Sequence, residues 1–125
     1  MVFTIRGNWF DHKFHIMLNT VEEGKTAAIV SYMTIIGTVV AIFMNSEKKN
    51  DFTSFHIRQS LGISLSYFIL SASNLITYLD NWTISIAFWI FFFVLWLYGF
   101  IGALQGQMRP IPVLGDVFQK LFKSL

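Results

Sequence analysis

The sequence has no cysteine, which excludes disulfides, thiolate metal sites and thiol nucleophiles and leaves the redox state of its compartment open. Charge is scarce too. Asp, Glu, Lys and Arg make up 13% of the chain, about half of the ~25% usual in soluble domains. So little polar surface cannot cover a globule, and lipid is expected to serve as part of the solvent. The formal net charge of +2 is small and scattered, so no nucleic-acid partner is expected. Arg6, Asp11 and Lys13 interrupt any short apolar core at the amino terminus, so a cleaved signal peptide is not expected either. No phosphate-cradling glycine loop and no carboxylate pair inside an apolar run supplies the engine of an energy-coupled transporter.

What is present is apolar: 54% of the residues are hydrophobic. Three runs contain no Asp, Glu, Lys or Arg, namely 26–44, 61–79 and 84–104. At about 1.5 Å per residue the first two reach roughly 28 Å and the third roughly 31 Å, close to a hydrocarbon core of about 30 Å. None of them alternates polar with apolar as a barrel strand would. The expected fold is therefore an all-α membrane protein, a single domain over 1–125. It would have three transmembrane helices and flanking amphipathic helices at both ends.

The leading amphipathic helix is placed at about 9–19. There Phe10, Phe14, Met17 and Leu18 follow helical spacing, Asn8 offers a cap, and Trp9 suits the headgroup boundary. Thr20 with Glu23 reads as a second start signal, opening the first span. Within that span Ala27, Ser31, Thr34, Thr38 and Ala41 form a small-residue stripe that should face a neighbouring helix. Pro110 and Pro112 end the third span. Asp116 is then expected to cap a tail helix over 116–125, with Val117, Phe118, Leu121, Phe122 and Leu125 on one side. With three crossings, Lys48, Lys49, Arg58, Arg109, Lys120 and Lys123 share one side, opposite Arg6, Lys13 and Lys25. Six against three predicts an external amino terminus and a cytoplasmic carboxyl terminus.

The candidate chemistry is thin. "FHIRQ" places His56, Arg58 and Gln59 at the mouth of the second span, where Arg58 can snorkel to phosphates or pair with Asp51 or Asp116. No nucleophile, base and orienting group assemble in one motif, so neither catalysis nor an enzyme is expected. His12 and His15 stand three apart with Asp11 beside them, but a third committed metal ligand is missing, so no metal is expected. The aromatic run "FWIFFFVLWLYGF" reads as lipid- and core-facing, and no cofactor is expected.

"FHIRQ" before a span and "RPIPVLGD" after the last one resemble the small bacterial membrane proteins of the Tic-twenty-like, chloroplast import component-like family, over residues 20–125. The resemblance implies a bacterial inner-membrane protein associated with protein translocation or a membrane complex. It carries over His56, Arg58, Gln59, Pro110, Pro112 and Gly115 as motif positions without assigned roles. Together with Arg109 and Asp116, these residues form the candidate contact surface for a partner protein or lipid headgroup. The leading expectation is a non-enzymatic subunit, scaffold or translocation-associated factor, in the lipid bilayer with a membrane-protein partner or a second copy of itself. The alternative is a small oligomeric channel or carrier lined by the Ser/Thr stripes.

Overall fold

The computed structural model describes the backbone of residues 2–73 and 81–125, with the side chains of all but 2–12 and 14–18. The described residues form helices and turns: α1 (Val2–Met33), α2 (Ile35–Lys48), α3 (Asp51–Ala72), α4 (Trp82–Leu104) and α5 (Gly115–Leu121). The all-α expectation is met. The three straight spans are not.

Segment 26–44 does not cross as one helix. Thr34 leaves helical geometry, with φ −157° and ψ 173°, and its hydroxyl accepts from the Gly37 amide to cap a new helix, α2. The chain then runs back along α1. Asn50 Nδ2 lies 2.8 Å from the Thr20 carbonyl oxygen, whereas thirty residues of straight helix would hold them about 45 Å apart. Ala27, Ser31, Thr38 and Ala41 are buried between the two arms. The stripe meets a helix neighbour as expected, but that neighbour is the other half of its own segment. Close approach needs the small side chains here, and Gly37 most of all, because a Cβ there would collide with the Val30 carbonyl.

The two amino-terminal start signals go unused. α1 begins at Val2, so positions 8 and 20 lie inside a helix and not at its start. Gly24, mid-helix, is where α1 crosses the start of α3: a Cβ there would overlap Asn50 and Thr53, and Thr53 Oγ1 donates to the Gly24 carbonyl at 2.9 Å. The crossing outweighs the cost of glycine in a helix, about 1 kcal/mol. The apolar side chains of 9–19 lie outside the described residues, as do His12 and His15. α3 is capped by Asn50, whose Oδ1 accepts from Thr53 N at 3.1 Å. The described part of the second span ends at Ser73, so the rest of 61–79 lies outside.

Among the described residues, Trp82–Leu104 is the one helix long and apolar enough to cross a membrane. Asn81 caps it. Its outer faces are apolar and exposed, Trp89 at 61% and Phe93 at 57%. The core sits toward its other end, where Ala28, Tyr32, Phe52, Leu95, Ala103 and Ile111 pack together. The reversal at Thr34 lies level with the middle of α4, since Thr34 and Ile35 share a cavity with Phe92 and Phe93.

α5 follows a turn in which Gly106 and Val113 take positive φ. Its cap position is Leu114 with no side-chain bond, and Asp116 is an exposed first-turn residue, so the expected Asp116 cap is not formed. Gly115 lies against Pro110, leaving no room for a Cβ. The apolar side expected for this tail is divided. Phe118 is buried on Gly62 of α3, while Val117 and Leu121 point outward, 53% and 69% exposed.

Candidate functional site

Where α1, α3, α4 and the Pro-rich turn meet, polar side chains are enclosed in an apolar shell. His56 and Gln59, on α3, are fully buried, and Tyr32, at the end of α1, nearly so. Because the Gln107 carbonyl can only accept, His56 Nε2 must donate to it, at 2.9 Å. The imidazole is thereby fixed as neutral with Nδ1 as acceptor, so the Tyr32 hydroxyl donates to Nδ1 at 2.9 Å. Gln59 Nε2 donates to the Tyr32 oxygen at 3.1 Å, and its Oε1 accepts from the Ile111 amide at 2.6 Å. Trp96 Nε1 donates to the Tyr32 backbone carbonyl at 2.7 Å.

This network ties four elements to one another. His56 precedes the apolar run that starts at Leu61, at the level of the residues following α4. Burial pushes its imidazole down to about 4, against an opposing pull from the Gln107 carbonyl. Phe52 and Phe55 hold the ring edge-on, with centroids at 4.6 and 5.2 Å.

Arg58 does not pair with Asp51 or Asp116. Its Nε and Nη2 donate to the Phe122 and Lys123 carbonyls at 3.2 and 3.1 Å, and Nη1 reaches Gln119 Oε1 at 3.4 Å. These carbonyls end α5, so the guanidinium satisfies acceptors that the short helix leaves open and sits at the negative end of its dipole. Gln119 Nε2 answers by donating to the Phe55 carbonyl at 2.9 Å.

His56 and Gln59 therefore come together, while Arg58, between them in sequence, clasps the tail. Pro110 and Gly115 touch in the turn that delivers Ile111 to Gln59. Arg109, Pro112 and Asp116 are exposed. Arg109 bonds Gln105 Oε1 at 2.8 Å and lies 5.7 Å from the centre of the Tyr98 ring. Sequence reasoning missed Tyr32, Trp96 and Gln107. Tyr32 carried a signal, a hydroxyl inside an apolar run, which needs a partner when buried.

A second polar knot closes the loop between α2 and α3. Asn45 Nδ2 donates to Ser54 Oγ at 2.8 Å, and Asn45 Oδ1 accepts from Asn50 N at 2.8 Å. The Lys49 amide bonds the Asn45 carbonyl while Lys49 itself takes a left-handed φ of 46°. Among the described residues no buried side-chain nitrogen or oxygen lacks a partner. Nor do three or more His, Cys, Asp or Glu gather there as a metal would require.

No solved structure matches the chain. A "UPF0132 membrane protein" of Methanocaldococcus jannaschii is 33% identical over 87 residues, which cover 66% of this chain and 59% of the relative. The chain thus matches less than two thirds of that protein's length. The resemblance to Tic-twenty-like proteins is not upheld, and the expected link to protein translocation falls with it. What matches residues 12–118 is the model of a different family, and the match takes in the hairpin, both polar knots and the docked Phe118. The chain belongs to the magnetosome magnetite crystal formation protein family.

Proposed function

We propose that the chain is a non-catalytic integral membrane scaffold or subunit, held in shape by its buried polar knots. One observation carries this: every enclosed polar group in the described candidate site is matched to another group of the protein, which leaves the knot to fasten helices and not to turn over a substrate. In a low-dielectric shell such a network is rigid when complete and costly when broken.

The architecture further supports a half-crossing hairpin beside two crossings, with both termini on the cytoplasmic side. The reversal at Thr34 returns residues 45–50 to the level of residues 20–24. α3 and α4 then leave and come back. All nine Lys and Arg residues fall in segments outside residues 61–108, and between residues 61 and 108 the sequence carries one charge, Asp80. A nine-to-none distribution is a stronger positive-inside bias than the six-to-three of a three-crossing arrangement. Hairpins that enter part-way are tolerated where the irregular backbone is satisfied, and at the exposed Thr34 the hydroxyl takes up the Gly37 amide at the reversal.

The family description names magnetite crystal formation in magnetosomes. Carried to this chain, that role is membrane organisation around a mineral. The channel alternative is weakened at two of its hydroxyls, because Ser31 and Thr38 bond backbone carbonyls within the hairpin seam.

Alkaline carbonate extraction, followed by mild-detergent copurification and mass spectrometry, tests the proposal. A chain that resists extraction and brings a recurring membrane-protein partner supports it. A clean homo-oligomer that conducts solute in liposomes, and stops when Ser31, Thr34 and Thr38 become leucine, overturns it.

A further inference from the structure

Burial is distributed unevenly along the two long apolar helices. Every buried residue of α3 lies between Phe52 and Ile63, and none lies between Ser64 and Ala72. α4 mirrors this: its buried residues begin at Phe92, and none falls between Trp82 and Phe91. The change comes at the level where the hairpin ends, since Thr34 and Ile35 share a cavity with Ile63, Ser64, Phe92 and Phe93. At the tip Met33 and Ile36 are 62% and 72% exposed. On one side of that level α1 packs on α2, α3 and α4, and α5 lies on α3 through Phe118 and Gly62. On the other side the described residues supply α3 and α4. Among the described residues, the chain thus tapers from four helices side by side to two.

The taper matches half a bilayer. About 14 Å of helix separates Lys25 from Thr34, and α2, from Ile35 to Lys48, is about 21 Å long. Half of a hydrocarbon core is about 15 Å, so each arm of the hairpin runs from charged residues to the middle of the membrane. A helix with its side chains is about 10 Å across, so the two arms take up roughly 160 Å² in one leaflet and nothing in the other. We propose that the chain is a curvature-seeking wedge, which gathers in bilayers whose hairpin-bearing leaflet is convex. Each leaflet holds its own volume of lipid tails. An inclusion wide in one leaflet and narrow in the other therefore strains a flat bilayer, and bending that widens the first leaflet relieves the strain. In the orientation proposed above, the convex leaflet is the cytoplasmic one. The inference deepens the scaffold reading and rests on its half-crossing hairpin.

The test uses the full chain carrying Asn19→Cys, Ser46→Cys or Asn81→Cys, each alone. All three positions are exposed, so the replacements leave the core intact. Each chain is reconstituted by detergent removal into vesicles of phosphatidylcholine, whose headgroup carries no net charge, and the vesicles are separated by size. An impermeant thiol reagent reads the fraction of chains that present each position outward. Small vesicles have a strongly convex outer leaflet. Relative to large vesicles of the same preparation, they show more outward labelling of Asn19→Cys and Ser46→Cys, and less of Asn81→Cys. Labelling that does not change with vesicle size, or a shift in the opposite sense, overturns the proposal. The same variants in intact cells separate the two levels. Asn19→Cys and Ser46→Cys on opposite faces would fail the hairpin and the wedge together, whereas both on one face, with size-independent labelling in vesicles, would fail the wedge alone.

Discussion

Thr38 Oγ1 donates to the carbonyl oxygen of Ser31 at 2.7 Å, across seven positions of sequence. In a continuous helix that separation would hold the two residues about 10 Å apart, so the bond exists only because the chain has reversed between them. Side chain and backbone seal the reversal together, since Thr34 caps α2 and Gly37 lets Val30 approach.

The reversal predicts a labelling pattern. The chain has no native cysteine, so Asn19→Cys, Ser46→Cys and Ser124→Cys can be placed singly, along with Asn81→Cys. With an impermeant thiol reagent on intact cells, Asn81→Cys reacts, and the other three react only after permeabilisation. A straight first span would place Asn19→Cys and Ser46→Cys on opposite faces, and external labelling of either one sinks the hairpin orientation.

Gly37→Val should open the hairpin. The new branched side chain meets the Val30 carbonyl, a backbone atom that cannot rotate away. Overpacking of this kind costs roughly 1–3 kcal/mol. The thermal midpoint in detergent should fall accordingly, while Val39→Leu on the exposed side of α2 leaves it unchanged.

Tyr32→Phe removes a hydroxyl that donates to His56 and accepts from Gln59. Two buried polar groups then lack a partner, at roughly 1–3 kcal/mol. Trp96→Phe removes a donor to a backbone carbonyl and should cost less, roughly 0.5–1.5 kcal/mol from the hydrogen bond itself. Chemical denaturation in mixed micelles ranks the two. Equal effects would mean that the network does not close on Tyr32.

Acid should loosen the fold through His56. Its imidazole titrates near 4 when folded and near the ordinary value of about 6.5 when unfolded. The unfolded chain takes the proton first, so this stability is fully present above about pH 6.5 and is lost as pH falls toward 4, on the order of 3 kcal/mol in all. The proton has no good place in the network. If Nδ1 donates, the Tyr32 oxygen must accept from both His56 and Gln59, and its own proton is left without an acceptor. Melting curves between pH 7 and 4 check this: His56→Gln should be less stable at pH 7 and flatter between 6.5 and 4.5. An unchanged slope would place the acid sensitivity elsewhere.

Phe118 and Gly62 hold the tail. Gly62→Leu should push the Phe118 ring away and expose the Pro110–Gly115 turn to protease, with little further effect when combined with Phe118→Ala. Additive effects would show that the ring and the glycine do not share one contact.

Sequence composition by itself pointed to lipid as part of the solvent: with 13% charge and 54% hydrophobic residues, and with apolar runs that do not alternate, helices compatible with lipid were the expectation. It also marked His56, Arg58 and Gln59 as unusual, because polar groups at the edge of an apolar run need partners. Tertiary structure alone decided the direction of the chain and who those partners are. Hydropathy is a sum over residues and has the same value for a segment that crosses and for one that folds in half, so the 26–44 run could not disclose its turn at Thr34. Tyr32 and Gln107 find His56 from 24 and 51 positions away, distances over which local periodicity carries no information and only the packing of α1, α3 and α4 brings donor to acceptor.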